Sequence, residues 1–100
     1  LQENAARLGE FLLAELRALK RRFPFLGDVR GRGLMIGLDF GDPDHPQPDL
    51  RDKAVRLAFE KGLLLLPAGP SALRIAPPLV LTQEEAALGL EILEEVFRAL

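Results

Sequence analysis

Cysteine is absent from these 100 residues, which excludes disulfides and thiolate chemistry. That absence fits a cytoplasmic location. No segment approaches the ~20 consecutive apolar residues of a membrane span, and no signal peptide is visible. Charge of one sign is also scarce. Lysine and arginine number 13 against 15 aspartates and glutamates, well mixed, for a net charge of −2. No basic patch results, so neither nucleic acid nor a membrane is an expected partner. An initiator methionine is missing as well. The chain opens on Leu1 and runs straight into a helical pattern, so it is expected to be cut from something longer.

What is present is mostly apolar. The hydrophobic fraction is 48% before its nine glycines are counted, an excess over typical usage of roughly 45–50% with glycine included. Such an excess suggests apolar surface that meets a partner; a Leu- and Ala-rich genome is the plainer alternative. A chain of this length makes one domain and buries roughly 60–70% of its unfolded surface.

Periodicity gives the elements. Leu1, Ala5, Leu8, Leu12, Leu16 and Leu19 mark one face of a helix over residues 1–22, which Pro24 stops. Leu34, Ile36, Leu38 and Phe40 alternate as a strand. Residues 41–48, with three prolines, read as an exposed loop. Asp49 is placed to cap a second helix over 50–61, with Leu50, Ala54, Leu57 and Ala58 inward and Gly62 at its stop. Leu63–Leu66 predict a short buried strand, Pro67–Ser71 a turn, and Leu73–Ala76 a third strand ended by Pro77-Pro78. Thr82-Gln83-Glu84-Glu85 is a capping box. The helix after it turns Leu88, Ile92, Leu93, Val96, Phe97 and Leu100 to one side. Gly89 within that helix should cost about 1 kcal/mol relative to alanine, and a close helix–sheet contact would be a reason to keep it. The expected fold is a small α+β domain with a three-stranded, mainly antiparallel sheet covered on one face by helices.

Few residues could carry chemistry. In Arg30-Gly31-Arg32-Gly33 two guanidinium groups could hold an anion, but a tight lead-in to the strand with both arginines solvated is the preferred reading. The segment lacks the strand–turn–helix context of a dinucleotide fingerprint. Arg74 alternates with Leu73 and Ile75, so it points away from them, beside the small side chains of Ala72 and Ala76. Its planar fork suits a carboxylate held by two parallel hydrogen bonds. Spacing alone favours an arginine that merely faces solvent. His45, the single histidine, sits among prolines and aspartates with no second ligand or nucleophile evident, and reads as a solvated loop residue. Lys20, Lys53 and Lys61 lie amid other charges on helices, not in the dry pocket that a Schiff-base lysine needs.

Three stretches nevertheless resemble a known family. Asp28-Val29-Arg30-Gly31-Arg32-Gly33-Leu34-Met35-Ile36-Gly37-Leu38-Asp39 is similar to the segment that opens the small-domain sheet of class III aminotransferases. Lys61 to Pro67, followed by Leu73 to Thr82, resembles their final strands. The closing helix, with Glu84-Glu85 early and Leu90 to Glu95 late, fits too. The likeness covers nearly the whole chain.

The resemblance implies that residues 1–100 are the carboxy-terminal small domain of a fold type I enzyme using pyridoxal 5'-phosphate, normally a homodimer. The large domain of the same polypeptide would precede Leu1 and would hold the cofactor and its lysine. This chain would supply no catalytic group and no cofactor or metal ligand. Arg74 matches the arginine of the family's Arg-x-x-Pro-Pro-Leu-like stretch, which implies that it holds a substrate carboxylate. The implied reaction moves an amino group from an amino acid, of 4-aminobutyrate type, to a 2-oxo acid. Racemases and aminomutases share this domain, so the small domain cannot separate them from transaminases. A stand-alone α+β binding module, with Arg74 merely on its surface, is the remaining alternative.

Overall fold

The computed structural model describes residues 2–76 and 81–100. Leu1 and the expected strand stop at Pro77-Pro78, with Leu79 and Val80, lie outside the described residues. Helix α1 (Gln2–Arg22) forms where leucine recurs every three or four positions. Leu8, Leu12, Leu16 and Leu19 are all buried, each burial contributing about 1.5–3 kcal/mol. Lys20, Arg21 and Arg22 close the helix, where cations suit the negative end of its dipole.

Strands β1 (Leu26–Arg32) and β2 (Met35–Asp42) make an antiparallel hairpin. The far edge of β2 pairs with β5 (Ala72–Ile75), and β5 pairs with β4 (Leu66–Ala68), all antiparallel. The order is β1-β2-β5-β4, with the two-residue β3 (His45–Pro46) paired to the end of β2. The α+β class and the antiparallel sheet under helices are as expected. The sheet holds two strands more than the three predicted. The first of these, β1, hides from periodicity because a bulge between Leu26 and Asp28 shifts its register. Its two buried residues, Leu26 and Val29, therefore fall three apart instead of two or four. The second, β3, lies in the segment read as a loop, and its residues are exposed as that reading requires.

One sheet face is the core. Val29, Ile36, Leu38, Phe40 and Leu73 are buried beneath the helices. Helix α1 packs chiefly on β1. Its Gly9 faces the β1–β2 turn, and a Cβ there would lie 2.0 Å from the Gly33 carbonyl oxygen. Only glycine allows that approach. The Phe97 ring meets those of Phe23, Phe25 and Phe40 edge-on, with centroids 5.5–6.0 Å apart.

Helix α2 (Pro48–Glu60) starts earlier than expected. Its N-cap is Gln47 rather than Asp49, with Pro48 in the first turn, where a missing N–H costs nothing. Ala54 and Ala58 are buried as predicted, and so is Arg51, which was not foreseen. Gly62 follows the helix at φ +89°. The apolar run after it is not one buried strand. Leu65 is buried, Leu64 is 69% exposed, and β4 begins only at Leu66. Pro67 is tolerated there because β4 is the sheet's edge.

Helix α3 (Gln83–Arg98) opens with the predicted capping box. The Glu85 N–H donates to Thr82 Oγ1 at 3.1 Å, and the Thr82 N–H donates to Glu85 Oε1 at 3.0 Å. Its buried side is Ala86, Leu93, Val96 and Phe97. Leu88, expected inward, is 57% exposed. At ~100° per residue it lies roughly 140° around the helix from Leu93. The close contact expected at Gly89 is also absent: a Cβ there would meet only the end of Leu63, at 3.9 Å. Among the described residues no helix is long and apolar enough to cross a membrane.

Candidate functional site

Among the described residues no helix covers the sheet's other face. Alternation along each strand sends Asp28, Arg30 and Arg32 of β1, Met35, Gly37 and Asp39 of β2, and Ala72 and Arg74 of β5 to this side. The register aligns Arg30, Gly37 and Arg74 in one row across three strands, with Leu66 at its end. Gly37 has no side chain, which leaves room for the Arg30 guanidinium to lie across it, 3.4 Å from where a Cβ would be. The result is a shallow cleft of about 400 Å³ lined by Arg30, Arg32, Met35, Gly37, Ala72 and Arg74.

The three arginines of this cleft are not equivalent. The Arg30 guanidinium lies over Gly37 and is bound by Asp39 at 2.8 Å and Asp28 at 3.3 Å. The Asp39 hydrogen bond, opposed by slight burial and joined by the attraction of both carboxylates, holds its proton more tightly than in an ordinary arginine. Arg74 and Arg32 are exposed, and among the described residues neither makes a hydrogen bond or ion pair. The cleft therefore offers two uncommitted guanidinium groups beside one already neutralised, and its local charge favours an anion. A guanidinium fork matches a carboxylate by geometry as well as charge.

Arg30 and Arg32 do not belong to a lead-in, as the sequence suggested. Both lie within β1, and Arg30 is ion-paired rather than merely solvated. His45 is exposed, with Nδ1 3.2 Å from Asp42 Oδ1. That oxygen also accepts the backbone N–H groups of Asp44 and His45, so it serves to shape the turn. No group of three metal-ligating side chains occurs among the described residues. Lys20 lies in the last turn of α1, Lys53 lies on α2, and Lys61 meets Glu95 at 3.4 Å. None of them lines the cleft. An aldehyde cofactor held through a lysine does not fit the residues present here.

Arg51 escaped the sequence reading although a signal was there. It stands three residues before Ala54 and seven before Ala58, on the same buried stripe. Its guanidinium ends among the carbonyl groups of the β4–β5 turn.

The model of the family described as "Aminotransferase class-III" matches residues 1–97. An alanine/serine racemase of Pyrococcus horikoshii is 44% identical over 98% of this chain and 21% of its own length. An acetylornithine aminotransferase of Gloeobacter violaceus is 44% identical over 100% of this chain and 24% of its own. A 4-aminobutyrate aminotransferase of Escherichia coli is 41% identical over 97% and 24%. Among solved structures, a phospholyase from Arthrobacter in complex with phosphoethanolamine superposes with a TM-score of 0.91 at 32% identity. That superposition covers 97% of this chain and 24% of the other. The chain thus spans about a fifth to a quarter of the length of the relatives it matches. Sequence and backbone agree along almost every described residue, and the chain belongs to the class III aminotransferases, a family that uses pyridoxal phosphate.

Proposed function

We propose that residues 1–100 are the small domain of a class III aminotransferase and that Arg74 binds the carboxylate of its substrate. The observation that carries this reading is the contrast within one row of the sheet. Arg30 is neutralised by two aspartates, while Arg74, two strands away on the same open face, has no acidic partner among the described residues. A cation left unpaired beside an open cleft suits an acid group that arrives from outside. The parent protein would be a cytoplasmic homodimer whose remaining residues hold the cofactor and its lysine. In that protein Arg74 binds and orients; it takes no proton and forms no covalent bond.

The run Leu63-Leu64-Leu65-Leu66-Pro67-Ala68-Gly69 supports a donor of 4-aminobutyrate type, with a 2-oxo acid as acceptor. A second reading keeps the site and changes the reaction. The likeness to an alanine/serine racemase supports an amino-acid racemase, in which Arg74 would hold the same carboxylate. Incubating the complete enzyme with one enantiomer of an amino acid, without a 2-oxo acid, separates the two. Appearance of the other enantiomer selects the racemase.

The Arg74 assignment is tested by Arg74→Gln and Arg74→Lys in the complete enzyme. A charge-assisted hydrogen bond to a carboxylate contributes about 1.5–3 kcal/mol. The specificity constant for amino-acid donors should therefore fall roughly 10- to 100-fold in Arg74→Gln, with cofactor content unchanged. Arg74→Lys should fall less, since an ammonium keeps the charge and loses the fork. An unchanged specificity constant in both variants removes Arg74 from the site.

A further inference from the structure

The only buried charged side chain in the described core is Arg51, 8% exposed. Burial of a guanidinium is costly unless its donors are satisfied. Here both Nη groups converge on one short segment. Nη1 donates to the carbonyl oxygens of Ala72 at 2.9 Å and of Ala68 and Gly69 at 3.3 Å. Nη2 donates to Pro70 at 3.5 Å, and Nε to Asp52 Oδ1 at 2.7 Å. Four of the five carbonyls from Ala68 to Ala72 therefore face one planar cation.

The fifth residue of the turn is fastened from the other side. Ser71 Oγ donates to the Phe40 carbonyl and accepts the Gln47 N–H at 2.8 Å. The Ser71 carbonyl accepts the Phe40 N–H at 2.8 Å. The turn is thus tied to α2 by Arg51 and to β2 by Ser71. Strand β5 leaves this turn at Ala72 and reaches Arg74 two residues later. Its outer neighbour is only the three-residue edge strand β4, which by itself restrains β5 weakly.

We propose that Arg51 is a positioning residue for Arg74. By gathering the carbonyls of the β4–β5 turn it sets the height and direction at which β5 starts, and so where Arg74, the register partner of Gly37, presents its fork to the cleft. Arg51 reaches the cleft only through the backbone and touches no substrate. The inference rests on the carboxylate reading of Arg74 given above. Lysine cannot replace it fully, because a compact ammonium reaches fewer of these acceptors than a five-donor plane.

The test uses Arg51→Lys, Arg51→Met and Arg74→Gln in the complete enzyme. KM and kcat are measured for an amino-acid donor, and the rate is measured for a simple alkylamine without a carboxylate. Misplacing a binding group by about 1 Å can cost ~100-fold. Arg51→Met should raise the donor KM about tenfold, and Arg51→Lys should restore part of that loss, in each case leaving kcat and the alkylamine rate within about twofold. A merely structural role would instead lower the active fraction and leave KM alone, and that result overturns the proposal. So does failure of both Arg51 variants to fold; if only Arg51→Met fails, Arg51→Lys decides by its KM. If Arg74→Gln leaves the donor KM unchanged, the Arg74 reading falls and this inference with it. If Arg74→Gln raises KM and the folded Arg51 variants do not, only the Arg51 proposal is lost.

Discussion

The two faces of the sheet are made by the same strands and obey different rules. On the helix side Ile36, Leu38, Phe40 and Leu73 are at most 1% exposed and contact other carbon. On the open side their immediate neighbours Met35, Gly37, Asp39 and Arg74 are exposed or half-buried and meet charge, water or empty space. One face is held by packing and tolerates no lost volume. The other is held by little and presents its cations. The difference teaches that stability and binding sit within one residue of each other along β2 and β5, and that the pleat alone separates them.

The largest expected effect compares adjacent sides of β2. Leu38→Ala should destabilise the chain by about 2–5 kcal/mol, because a fully buried leucine leaves a cavity. Met35→Ala, three residues away and 54% exposed, should stay within about 0.5 kcal/mol. Urea unfolding of the two variants checks this, and equal losses would break the comparison. Next comes Asp39→Asn on the open face. The Arg30–Asp39 pair is well exposed at both ends, so its removal should change stability by less than about 1 kcal/mol. It should also leave the cleft more positive. Butyrate, a carboxylate without an amine, should then bind roughly twofold more tightly at low salt, as calorimetry would read, with the gain fading as salt screens it. Weaker butyrate binding would mean that Arg30 and Asp39 serve the cleft as a pair.

The smallest effect lies at the start of α3, away from both faces. The Glu85 carboxyl is held below its usual 4.5 by the Thr82 backbone N–H, then by the Thr82 side chain. A lowered folded value means that this support is fully present above about pH 4.5 and is lost as pH falls through the folded value. Acid titration of unfolding should therefore lose a small increment below pH 4.5 in the native chain and not in Glu85→Gln. Identical acid profiles would show that the box is present without stabilising.

Much of this was legible residue by residue. The leucine stripe of α1, the alternation of β2, the strand at β5 and the Thr82 capping box each depend on neighbours within one or two turns of chain. The failures have separate causes. Strand β1 was missed because its bulge erased the period, and Leu88 was misplaced because a count of apolar residues does not give the angle between them. Asp49 was preferred as a cap by residue type, whereas the helix starts at Pro48 and Gln47 gives its N–H to Ser71, 24 residues away.

By itself the sequence determined the family, the class of fold and which side of most elements is buried, because side-chain direction and hydrophobicity are local properties of a chain. It also singled out Arg74 as a side chain pointing away from its apolar neighbours. Only the tertiary structure decided what each arginine meets. Arg30 finds Asp39 nine residues on, across a hairpin, and Arg51 finds carbonyls 17 to 21 residues on, across a helix and a turn. Those meetings depend on strand register and helix placement, which are fixed by the packing of the whole core and leave no periodic mark in the sequence.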